Sequence, residues 1–136
     1  MITISKNKFL LLSTLIAVLV FLPLTVKSQI IIDIQVSPNV LNLQNSGEVV
    51  TVHTDIAYGL VVGATVTLND VAISWWKSDD QGNFVAKFNI SDIKNLPLKI
   101  GDLNTLVLTG TTINGDEFIG SYDVKVINVL PASKKK

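Results

Sequence analysis

Trp75 and Trp76 stand side by side near the middle of this 136-residue chain. Each offers a flat apolar face of the kind that stacks on a sugar ring or fills a partner's pocket. Neighbours on a strand point to opposite sides. If Val71, Ile73 and Trp75 face a core, Trp76 faces outward beside Ser74 and becomes the candidate contact. His53 is the only histidine, with Thr51 and Asp55 two residues to either side. A zinc site needs several converging ligands, and a general base needs a partnered nucleophile or a substrate pocket. His53 therefore reads as a solvent-facing strand residue. Asp79, Asp80 and Asn83, with the carbonyl of Gln81, carry oxygens suited to calcium. The spacing is too short for a self-contained site and lacks a distal bidentate acid. Asp and Asn also close turns on their own backbone, so a plain turn is expected. Asn89-Ile90-Ser91 has the form of an N-glycosylation acceptor. Nothing distinguishes a catalytic pair among the carboxylates, so no enzyme activity, no cofactor and no resident metal is expected.

The segment ahead of these residues bears on where they work. Lys6 and Lys8 precede an apolar run from Phe9 to Val26, which is broken only by Ser13, Thr14, Pro23 and Thr25. The run closes on Val26-Lys27-Ser28, a small-residue site for cleavage before Gln29. Residues 1–28 are accordingly expected to be a helical signal peptide, with an uncleaved N-terminal anchor as the alternative. The expected location is the extracellular space or cell surface, with no stable membrane span after cleavage.

Cleavage would leave 108 residues (136 − 28), enough for one packed domain over residues 29–130. There is no cysteine, so neither a disulfide framework nor a thiolate site can hold this domain. There is no arginine either, and residues 29–133 set five Lys against eleven acids. An acidic body without Arg forks argues against nucleic acid as a partner. Residues 131–136 end in Lys134-Lys135-Lys136 and read as a disordered tail.

Period-two alternation dominates from Gln29 onward. Ile30 to Val36 is β-branched almost throughout. Val50, Val52 and Ile56 alternate with Thr51, His53 and Asp55. Phe84, Ala86, Phe88 and Ile90 share a second face, and Leu103–Thr109 reads as another strand. Asn114-Gly115 predicts a type I′ hairpin turn leading into Phe118, Tyr122, Val124 and Val126. The pattern predicts seven or eight strands in an all-β, two-sheet antiparallel sandwich, with an up-and-down barrel as the alternative.

Gly63-Ala64-Thr65-Val66-Thr67-Leu68-Asn69, followed by Ser78-Asp79-Asp80-Gln81-Gly82-Asn83-Phe84, resembles the "GATVTVNG" strand and "TDADGNF" hairpin of bacterial and archaeal immunoglobulin-like surface domains. The chain also resembles exported repeats that open on "IDIKPGS…INL" and close on "LTGTTxDGxxxxGSDSVxV". The matching residues are Ile32-Asp33-Ile34-Gln35-Val36-Ser37-Pro38 with Asn42-Leu43, then Leu108 to Thr112, Asn114-Gly115 and Gly120 to Val124. Both resemblances imply an immunoglobulin-like sandwich with a structural or adhesive role outside the cell. The expected partner is another extracellular protein or a second copy, with polysaccharide, held by an exposed Trp, as the alternative. Because the run Ile30, Ile31, Ile32, Ile34 and Val36 exceeds what one buried face of an edge strand needs, self-assembly through the first strand, with Ile30, Ile32 and Ile34 as contacts, is a further expectation.

Overall fold

Residues 28–130 are described by the structure, a computed structural model. The expected signal helix and the Lys-rich tail 131–136 lie outside the described residues, apart from Ser28. Among the described residues ten strands form two sheets, the layout of a sandwich and not of a barrel.

The first strand predicted from the sequence is divided between the sheets. β1 (Gln29–Ile31) pairs parallel with β10 (Glu117–Ile127). The Ile32 N–H still donates to Ile119 O at 2.9 Å, but the Asp33 carbonyl accepts from Asp55 N at 3.2 Å in the opposite sheet. The chain thus changes layers between Ile32 and Asp33. β2 (Ile34–Ser37) then runs antiparallel to β4 (Val49–Ala57). After a cis Ser37–Pro38 bond, β3 (Val40–Asn42) returns to pair parallel with the far end of β10. The sandwich is therefore not wholly antiparallel, and it has more strands than expected because the first apolar run is divided between the layers, the segment from Val71 to Ser78 is divided as well, and the short β3 was not foreseen.

β5 (Thr67–Leu68) and β6 (Val71–Ala72) form a tight hairpin at one edge. A second change of layer follows. The Ile73 N–H donates to Val66 O at 3.2 Å, whereas the Ser74 N–H donates to Lys87 O at 2.9 Å. β7 (Trp75–Ser78) and β8 (Asn83–Asn89) then form the next hairpin, and β9 (Leu103–Thr111) precedes β10. One sheet has the order β2-β4-β8-β7. The other runs β1-β10-β9-β5-β6, with β3 also on β10. A five-residue helix, α1 (Ile90–Lys94), buries Ile90 and Ile93 and starts the long link after β8. Its length is too short for helical periodicity to show in the sequence.

Inward positions alternate as expected. Val50, Val52, Phe84 and Phe88 from one sheet meet Leu68, Leu106, Leu108, Phe118 and Val124 from the other in a continuous core. Thr54 shares this interior and donates its hydroxyl to Phe84 O at 2.6 Å, which satisfies both buried polar groups.

The turns differ from expectation in an instructive way. Asn69 and Asp70 both take positive φ, at 44° and 66°, so the two-residue loop between β5 and β6 is the type I′ turn. Asn69 also reaches across, its side-chain oxygen accepting from Val107 N at 2.7 Å. At the predicted site only Gly115 is positive, at 85°. Gly115 N donates to Thr112 O at 2.9 Å and Thr112 N to Asp116 O at 2.8 Å. That is a three-residue loop with glycine at its left-handed position, where the twist is absorbed by one residue instead of two.

Candidate functional site

Two rows of side chains cross the outer face of the sheet ordered β2-β4-β8-β7. Register places Gln35, His53, Val85 and Lys77 in one row, and Ser37, Thr51, Lys87 and Trp75 in the next. Thr51, Lys87 and Trp75 of the second row are tied together. The Lys87 ammonium donates to Thr51 Oγ1 at 2.7 Å and lies 5.5 Å from the Trp75 ring centroid. Partial burial holds the Lys87 amine below its ordinary range, and the Lys77 charge beside it acts in the same direction. No sequence pattern indicates this group, because its members come from three strands whose register is set only by folding.

The two tryptophans are placed the other way round from the expectation. Trp75 lies opposite Lys87 on the outer face, and Trp76 lies opposite Ala86 on the inward side of the edge strand. Alternation counted from Val71 and Ile73 fails because the chain changes sheets between Ile73 and Ser74. Trp76 packs flat on the backbone of Gly63, where an added Cβ would stand 2.2 Å from the ring's Cε2. Both rings keep exposed surface: 47% for Trp75 and 38% for Trp76.

His53 is exposed, as the alternation predicted. With Asp33, Gln35, Asp55, Asp79 and Gln81 it borders an open groove between the β2–β4 pair and the β7–β8 turn. Asp55 Oδ1 in this groove accepts from Asp33 N at 3.0 Å. Among the described residues no three of His, Asp, Glu or Cys converge as metal ligands. Asp79 is engaged in the turn itself. Its Oδ1 accepts from Gln81 N and Asn83 N, both at 2.9 Å, while Asp80 is exposed beside it.

Ile30, Ile32 and Ile34, considered above for contact with a partner, point into the chain's own sandwich. Ile32 and Ile34 are buried in the core, and Ile30 packs against it half-buried. Ile31 is the exposed member of the run. Asn89 is exposed at the start of α1, and its side chain makes no capping hydrogen bond with the helix. No helix among the described residues is long and apolar enough to cross a membrane.

Ile31, Val40, Val49 and the two tryptophans are exposed on strands β1, β3, β4 and β7, and further exposed apolar side chains lie at the two ends of the sandwich. Tyr58, Leu60 and Val62 crowd the β4–β5 link, and Ile113 tops the β9–β10 hairpin. Ile100, Leu103, Val129 and Leu130 stand out at the opposite end. No protein-family model matches this chain, nor does any curated protein or solved structure.

Proposed function

We propose that this is an exported, non-enzymatic domain of immunoglobulin-like type with a structural or adhesive role at the cell surface. The observation that carries this reading is the order of the strands. In immunoglobulin-like domains the strands named A, B, E and D form one sheet, and G, F, C and C′ the other. In chain order, β2, β4, β8 and β7 take the first four positions, and β10, β9, β5 and β6 the second four. The first segment divides between the layers, with β1 and β3 lying beside the last strand. The apolar run Phe9–Val26 before β1 supports export.

Fractionation of cells making the full chain tests this reading. The domain is expected outside the cytoplasm, beginning at Gln29. Recovery only from the cytoplasm would end it.

A second reading, a carbohydrate-binding module, is favoured by the exposed faces of Trp75 and Trp76. Titration with soluble polysaccharides while following Trp emission separates the two. A saturable change that Trp75→Ala or Trp76→Ala abolishes would favour the module.

A further inference from the structure

We propose that the outer face of β4, β8 and β7 binds a carboxylated polysaccharide, one uronate ring stacking on Trp75 with its carboxylate held by Lys87 and Lys77. The inference rests on the carbohydrate-binding reading and names both the ligand class and the indole that holds it.

Charge is sorted on this face. Of the five lysines and eleven acids in residues 29–133, the two outer rows hold Lys77 and Lys87 and no acid. The two lysines are diagonal neighbours on paired strands, where like charges repel. Among the described residues neither forms an ion pair. The acids begin one row beyond His53, where Asp55 N donates to the Asp33 carbonyl at 3.2 Å and Asp79 opens the β7–β8 turn. An anion is repelled from that end of the sheet and drawn to the row that holds Lys87 and Trp75.

That row is already arranged for a ring with a charge on its edge. The Lys87 ammonium is held at 2.7 Å from Thr51 Oγ1 and 5.5 Å from the Trp75 centroid. Thr51 takes one of its three donors and leaves two for a ligand. Trp75 remains exposed beside it, its indole a flat apolar surface for the C–H face of a pyranose. A uronate carries its carboxylate on the rim of that same ring, so stacking on Trp75 delivers the charge to the ammonium.

Other occupants use only part of this group. An uncharged sugar would cover the indole and leave the two lysines facing each other. An acidic peptide would neutralise the lysines and leave the indole bare. In the free protein partial burial and the Lys77 charge both disfavour the charged Lys87 amine, and a ligand carboxylate acts against them.

Titration of the purified protein with oligogalacturonate, followed by Trp emission and calorimetry, tests the proposal, with dextran and poly-glutamate in parallel. Saturable binding of oligogalacturonate is expected, weakened by raising salt from ~0.05 M to ~0.5 M. Trp75→Ala and Lys87→Gln should each weaken it about ten-fold or more, the loss of a stacking platform or of a charged hydrogen bond. Lys77→Gln should weaken it less. Lys99→Gln, on the link after α1, changes net charge equally and should leave binding as it was. Melting of each variant shows that it is folded, and Lys87→Gln keeps the test open if Trp75→Ala is not. Dextran binding as tightly as oligogalacturonate, or binding indifferent to Lys87→Gln, would overturn the carboxylate assignment while the carbohydrate reading stood. Equal binding of poly-glutamate would overturn it in favour of an acidic protein partner. Binding of neither polysaccharide would end both readings.

Discussion

Gly120 on β10 lies directly beneath Ile34 on β2: a Cβ on Gly120 would stand 2.7 Å from Ile34 Cγ2 and 2.9 Å from the Ile32 carbonyl oxygen. The first segment crosses from one sheet to the other over this point, and only a residue without a side chain leaves room for it. Gly120→Ala must therefore displace either a core isoleucine or the crossing backbone. The expected cost is about 1–3 kcal/mol by overpacking, read from chemical denaturation. An unchanged midpoint would mean that the crossing is looser than these distances require.

The same crossing separates two ideas about the first strand. Ile32, Ile34 and Val36 are buried, whereas Ile31 is exposed and β1 is only three residues long. Removing residues 29–31 should leave a folded protein with a modest loss of stability. Removing residues 29–36 should abolish the cooperative transition, because three core side chains go with it. A folded monomer after the larger deletion, with polymers formed by the longer chain, would point to donation of this strand between copies.

Asp79 holds the β7–β8 turn through its two backbone hydrogen bonds. Asp79→Ala is expected to cost about 1–2 kcal/mol, in the manner of a lost cap. Melting temperature should be the same with EDTA as with calcium, since the carboxylate already has amide partners. A calcium-dependent rise of several degrees would assign the turn a cation after all.

Lys87 should titrate below the ordinary lysine range when its side chain is followed by NMR. Burial is the larger cause and the charge of Lys77 the smaller, so Lys77→Gln should raise the value only part of the way back. Between the folded value and the unfolded one the unfolded chain binds more protons. Folding stability contributed by this group therefore rises with pH through that window, and is unaffected by pH well below it. Titration at or above the ordinary value would contradict the placement of the amine.

Local pattern was sufficient for the layered β class and for much of the core. Val52, Phe88 and Val124 stand between polar neighbours and are buried where that alternation puts them, whereas Val85, on the opposite face from Phe84, is buried as well. The absence of cysteine and arginine excluded whole classes of site, because composition needs no geometry to be read. What escaped the sequence was every feature that depends on one segment meeting another. Asn114-Gly115 and Asn69-Asp70 were each competent for a tight turn. The chain took the two-residue form at Asn69, whose side chain finds Val107 across the sheet, and the three-residue form before Asp116. Alternation holds only while a strand stays in one sheet. At Ile32–Asp33 and again at Ile73–Ser74 the chain changes layers, so the count of faces could divide the isoleucine run and exchange the two tryptophans without any mark in the residues themselves. The meeting of Thr51, Lys87 and Trp75 was likewise settled only by tertiary structure, because strands far apart in sequence had first to be brought into register on the same face of the sandwich.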